Sequence, residues 1–165
     1  MAGYFFDSSA LSKFYHVELG SAEVESIIQS KENEIRISRL TVVELASAFA
    51  IKVRTKVLTQ EDAQLLTRQF RHDLVSGRFE VFAIGDAEFR VAEFLIHRHA
   101  FHERLRTLDA LQLAVGLALR DENLLDYFVS ADQSLGRVAI LESLQILNPE
   151  AMGHDKIPDA ESNPN

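Results

Sequence analysis

Short apolar runs along the chain alternate with longer segments whose apolar residues recur on a helical period. The first run, YFFD from Tyr4, is stopped by Asp7 and two serines, as a short buried strand would be. SSALSKFYHV then reads as a short helix, and SAEVESIIQSK as a second, with Ser21 as its N-cap and Val24, Ile27 and Ile28 along one stripe. EIRIS alternates as a strand and ends at Ser38. LTVVELASAFAIKV is apolar on nearly every side, which predicts a deeply buried or interface helix over residues 40–53. TQEDAQLLTRQFRHDLVSG is amphipathic: Thr59 caps it, Ala63, Leu66, Phe70 and Leu74 form its stripe, and Gly77 suits its stop. RFEVFAI reads as a strand, DAEFRVAEFLIHRHA and RTLDALQLAVGLALRDE as helices, DYFVS as a strand, ADQSLGRVA as a short helix or turn, and SLQIL as a last strand.

Strands alternating with helices predict a central, mainly parallel sheet with helices on both faces, a three-layer α/β/α sandwich. Ligands in such folds sit beyond the carboxyl ends of the strands, where Asp7 and Asp132 fall. The folded domain is expected over residues 1–148. Beyond it, residues 149–165 carry Glu150, Asp155, Asp159 and Glu161 against Lys156 alone and lack an apolar period, so an acidic disordered tail is expected there.

The 165 residues suit one domain, and 47% hydrophobic with 25% charged is the balance of a soluble globular chain. Absence of cysteine excludes disulfides and thiolate chemistry. Neither a membrane-spanning apolar run nor a basic-then-apolar leader is present, and a cytoplasmic protein is expected. A net charge of −8 argues against a nucleic-acid partner, but the tail holds part of it, and HRHAFHERLR over residues 97–106 is locally basic. His97, His99 and His102 in that stretch lack a completing cysteine or paired acid and read as a solvated basic face rather than a transition-metal site. Gly116 suits close helix packing, and there is no phosphate-loop or dinucleotide fingerprint.

Four acids stand where apolar segments meet. Each has a structural account: Asp7 and Asp132 as N-caps, Glu44 closing a capping box with Thr41, and Asp109 in the first turn of its helix. Taken together they ask for more. Glu44 has Leu40, Thr41, Ser47 and Ala48 as its helical neighbours, with no basic partner, and Asp132 has Phe128, Val129, Leu135 and Gly136. Carboxylates in such surroundings need hydrogen bonds or a cation from elsewhere. A hard divalent ion, Mg2+ or Mn2+, is one partner that could serve several at once, lowering the pKa of a bound water for attack on a phosphodiester. Ser8 and Ser130, beside the acids, are candidates to orient them.

In this order, YFFDSSAL, TVVELASA, RTLDALQLA and FVSADQSL resemble the four acidic motifs of the PIN-domain nucleases, and particularly the VapC toxins of prokaryotic toxin–antitoxin pairs; the closing LQILNPE resembles the end of that domain. The resemblance spans residues 4–150. It implies that Asp7, Glu44, Asp109 and Asp132 form a metal-binding, catalytic cluster, with Ser130 supporting the last acid. It also implies a homodimer, a small cognate antitoxin and cleavage of RNA. Arg98, Arg104 and Arg106 are the candidates for RNA phosphate contact. Two other readings stay open: a non-catalytic binding module on the same fold, and a phosphatase or phosphotransfer domain with Asp7 as nucleophile.

Overall fold

Phe5 and Phe6 are both fully buried, yet adjacent residues of a strand point to opposite faces, so the first strand must be covered on both sides. The computed structural model, which describes residues 1–151, shows how. Five strands, β1 (Ala2–Phe6), β2 (Asn33–Ser38), β3 (Glu80–Phe82), β4 (Tyr127–Val129) and β5 (Ile146–Leu147), form one sheet in the order β3-β2-β1-β4-β5. Every pairing is parallel. Seven helices connect them: α1 (Ser8–Tyr15), α2 (Ser21–Gln29), α3 (Arg39–Arg54), α4 (Gln60–Val75), α5 (Asp86–His99), α6 (Thr107–Asp121) and α7 (Gln133–Leu141). Phe6, Ile37 and Val129 bury against α1 to α4, while Phe5 and Phe128 bury against α5, α6 and α7. The molecule is therefore the expected three-layer α/β/α sandwich. Among the described residues no helix is long and apolar enough to cross a membrane.

Chain order reverses direction at β1: the chain first winds outward through β2 and β3, then returns to place β4 on the other side. The carboxyl ends of β1 and β4 are thus neighbours at the switch point, joined there by the Asp7 N–H donating to the Val129 carbonyl at 3.1 Å.

Two helix starts differ from expectation. The N-cap of α2 is Gly20, not Ser21. Its φ of 86° is in the left-handed region, and a Cβ there would lie 2.8 Å from the Pro149 carbonyl. The Ser21 hydroxyl instead donates to the Lys13 carbonyl at 2.7 Å and accepts the Glu18 N–H at 2.9 Å. Helix α3 begins three residues before Thr41 would have capped it: Ser38 is the cap, accepting the Thr41 N–H at 3.1 Å. Burial along α3 is also one-sided, with Thr41, Leu45 and Phe49 inside but Val43 64% and Ile51 45% exposed.

The chain stays on the domain through Glu150, whose carboxylate takes the buried Lys13 ammonium at 2.7 Å. The remainder of the acidic tail, residues 152–165, lies outside the described residues.

Gly116 lets α6 lie against the sheet: an added Cβ would meet the Phe128 ring at 2.7 Å, and that ring is fully buried. Replacing it with valine, which adds bulk where nothing can yield, is expected to lower unfolding free energy by about 2 kcal/mol, measured by urea denaturation. A midpoint equal to wild type would contradict this packing.

Candidate active site

The turn after β1 holds Asp7, only 3% exposed. It is the N-cap of α1, as its structural account required: Oδ1 accepts the Ala10 N–H at 2.8 Å. Oδ1 also accepts the Ser9 hydroxyl at 2.7 Å, and Oδ2 accepts the Ser130 hydroxyl at 2.6 Å. The hydroxyl that α1 supplies to this acid is therefore Ser9 rather than Ser8. Ser8 is the first helical residue, and among the described residues its side chain makes no hydrogen bond to Asp7; Ser9, one position on, reaches back to its oxygen. Ser9 also accepts the Ala131 N–H at 3.0 Å, and Ser130 accepts the Asp132 N–H at 3.1 Å, so the turns after β1 and β4 are bonded into one unit. A carboxylate offers about four lone-pair directions, and three donors leave Oδ2 one to spare.

Burial pushes the Asp7 carboxyl up from its ordinary 3.8 to about 6; the three donors pull it down, and the charge of Glu44 adds to the rise. Glu44, on α3, is half-buried and accepts the Gln112 amide at 2.6 Å through Oε2. With Ser38 as the true cap, Glu44 lies beyond the first turn and has no capping duty. Gln112 is 2% exposed, and its amide also donates to Thr41 Oγ1 at 2.9 Å, while its carbonyl accepts Ser38 at 2.7 Å. This buried amide was missed in the sequence; its sole clue was a polar residue three places after Asp109 in an otherwise apolar helix.

Asp109, in the first turn of α6, and Asp132, the N-cap of α7, meet through Arg106. The guanidinium Nε donates to Asp109 Oδ2 at 2.9 Å, and Nη2 donates at 3.3 Å to both Asp109 Oδ1 and Asp132 Oδ2. Asp132 Oδ1 is taken by the N–H groups of Ser134 and Leu135, at 2.8 and 3.1 Å. Of the three arginines expected to meet RNA, Arg106 is thus drawn into the acids. Arg104 is exposed on the loop before α6. Arg98 is not brought to them: it faces Glu142 at 3.5 Å, at the opposite end of α7 from Asp132. His99, in the stretch expected to be solvated, is 8% exposed and bonds the same Glu142. His97, by contrast, has a side chain 72% exposed.

Among the described residues no three histidine or acidic side chains are already grouped as a metal cage. In this arrangement Arg106 engages both Asp109 and Asp132, and Gln112 engages Glu44. The donor set nonetheless suits a hard divalent ion: carboxylate oxygens only, one of them raised in pKa chiefly by its burial.

Asp7 and Asp132, following β1 and β4 at the switch point of a parallel, five-stranded α/β sheet, together with that sheet define the class of protein. The PIN domain family profile matches residues 4–141, and the chain belongs to that family. No curated protein matches it in sequence. Among solved structures it is similar to FitAcB from Neisseria gonorrhoeae, 15% identical over 88% of this chain and 97% of that one, TM-score 0.62. It is similar also to VapC20 from Mycobacterium tuberculosis, a sarcin-ricin loop cleaving toxin, 15% identical over 81% and 93%, TM-score 0.60. VapBC2 from Rickettsia felis, solved with a DNA fragment from its promoter, is 18% identical over 88% and 97%, TM-score 0.59. At these identities the likeness carries the fold.

A carboxyl titrating near 6 when folded and near 3.8 otherwise binds its proton more tightly in the native state. The contribution of Asp7 to the stability of the metal-free protein should therefore fall as pH rises from about 4 to about 6, by at most about 3 kcal/mol. Asp7→Asn removes the ionised form while keeping the capping oxygen. Its urea midpoint in chelator is expected above wild type at pH 7 and level with it below pH 4. A variant less stable at both pH values would show that the buried charge is not the cost.

Proposed function

We propose that this protein is a metal-dependent endoribonuclease, the toxin of a toxin–antitoxin pair, with Asp7, Glu44, Asp109 and Asp132 holding Mg2+ or Mn2+. The observation that carries the reading is the hydrogen-bonded seam in which Asp7, at the end of β1, is fixed by hydroxyls from both sides of the switch point. A buried acid raised to about 6 is poor economy for a helix cap alone, which an exposed aspartate would serve as well. Membership of the PIN domain family and the fold shared with a loop-cleaving toxin support the same reading.

A bound divalent ion would supply charge neutralisation at the scissile phosphate and a water of lowered pKa. The chain's own part is positional. Ser9 and Ser130 fix both oxygens of Asp7, and Gln112 fixes one oxygen of Glu44 while leaving Oε1 without a hydrogen bond among the described residues. Arg104, exposed beside the site, is the arginine we assign to RNA phosphate; Arg98, engaged at the far end of α7, is not. A cognate antitoxin and a homodimer complete the proposal, as does a cytoplasmic setting for the single domain with its acidic tail.

The phosphotransfer alternative is weaker because the residue two positions after Asp7 is Ser9, which donates to Asp7 at 2.7 Å, and not a second acid. A binding module without turnover makes the opposite prediction in the same assay.

With total RNA as substrate, cleavage by the purified full chain is expected to require Mn2+ or Mg2+ and to stop on chelation. Asp109→Asn should lower the rate about a hundredfold or more while leaving the fold intact by circular dichroism. Cleavage by Asp109→Asn at the wild-type rate would overturn the site, and metal binding without cleavage of any RNA would favour the binding module.

A further inference from the structure

Arg106 is held in an unusual way. As the N-cap of α6 it contributes no side-chain cap, and its side chain is 60% exposed, so no packing fixes the guanidinium. Two carboxylates do. Nε and Nη2 form a fork on both oxygens of Asp109, and Nη2 also takes Oδ2 of Asp132.

Counting oxygens shows what this excludes. Asp132 Oδ1 already accepts two backbone N–H groups as the cap of α7, which leaves Oδ2 as its ligating atom. That atom and both oxygens of Asp109 are the ones Arg106 covers. A cation held by Asp109 and Asp132 together would have to share these oxygens with the guanidinium and sit against its positive charge. Nor is the guanidinium trapped, since most of its side chain faces solvent and a rotamer change is sufficient to release it.

We propose that Arg106 is a displaceable internal counter-ion of the metal site: it neutralises and closes the Asp109–Asp132 pair in the metal-free protein, and binding of a divalent cation expels it. The inference rests on the metal-site reading above and adds a competition that the reading does not require. The arrangement stabilises two neighbouring acids while no metal is bound, and it makes the metal-free site a poor receptor for adventitious cations.

The test is metal binding by the full-length chain, read without reference to activity. Isothermal titration with Mn2+ is expected to give a dissociation constant about tenfold lower for Arg106→Met than for wild type. Arg106→Lys keeps the charge but not the fork, and is expected to follow Arg106→Met. If Arg106→Lys instead matches wild type, general repulsion between charges explains the effect and the displacement is overturned. In 15N spectra the Arg106 Nε–H is expected to be sharp and slow to exchange in chelator, and to broaden or vanish at saturating Mg2+. An Nε–H unchanged at saturating Mg2+ overturns the proposal while leaving the metal site standing. Failure of wild type and both variants to bind Mn2+ at all would instead remove the metal-site reading itself.

Discussion

The Ser130 hydroxyl on Asp7 Oδ2, 2.6 Å long, is the bond on which the rest of the site depends. It spans 123 residues of sequence and joins the two strands whose ends form the switch point. Because Ser130 also accepts the Asp132 N–H, and Ser9 the Ala131 N–H, the turns that begin α1 and α7 hold each other's geometry. Parallel strands make this possible. Only when β1 and β4 run the same way do both carboxyl ends, and both helix starts, arrive at one edge. The aromatic strand residues serve the same end: Tyr4 stacks on Tyr127 and Phe5 lies against Phe128, fixing the register that brings Asp7 opposite Ser130.

A second brace sets the depth of the site on its other side. Gln112 ties the cap of α3 to α6 through Ser38 and Thr41, then spends its remaining N–H on Glu44. One buried amide thus couples the acid of α3 to the helix that bears Asp109. An amide is well suited here, since it donates and accepts at once and carries no charge of its own into a site already crowded with negative ones. The Asp7 carboxyl is raised mainly by burial, with a smaller push from the charge of Glu44. Buried polar groups of this kind are stable only when every partner is present, and among the described residues no buried side-chain nitrogen or oxygen lacks one.

The fold was legible because its signals are periodic. Alternating apolar runs and helical stripes reported every strand and helix, and the α/β rhythm implied the parallel sheet. Cap positions were less legible, because a cap depends on where the chain arrives. Ser21 looks like a cap, yet the close approach of Pro149, 129 residues later, requires a glycine in the left-handed region at position 20. That the four acids stand between apolar segments was readable, as were the capping roles of Asp7 and Asp132. Their partners were not. Whether Ser8 or Ser9 faces Asp7 turns on a rotation of about 100° about the helix axis, Gln112 is a single polar residue in an apolar helix, and Arg106 looked like any basic residue beside a nucleic-acid site.

The structural roles of these acids and the metal-binding role proposed for them are compatible, because a carboxylate has two oxygens. Asp132 spends Oδ1 on the backbone of α7 and presents Oδ2; Asp7 caps α1 through Oδ1 and meets Ser130 through Oδ2; Glu44 gives Oε2 to Gln112 and keeps Oε1. At least one oxygen of each is hydrogen-bonded to the fold, and in Asp7 both are. A helix start is therefore an economical place for such an acid: the N–H groups that need an acceptor also immobilise it, and the field of the helix favours its charge. Asp109 departs from the pattern, since its backbone contact is a long 3.3 Å to the Arg106 N–H and both of its oxygens meet the guanidinium. It is the acid least committed to the fold, and for that reason the one whose environment a ligand can change most without disturbing a helix.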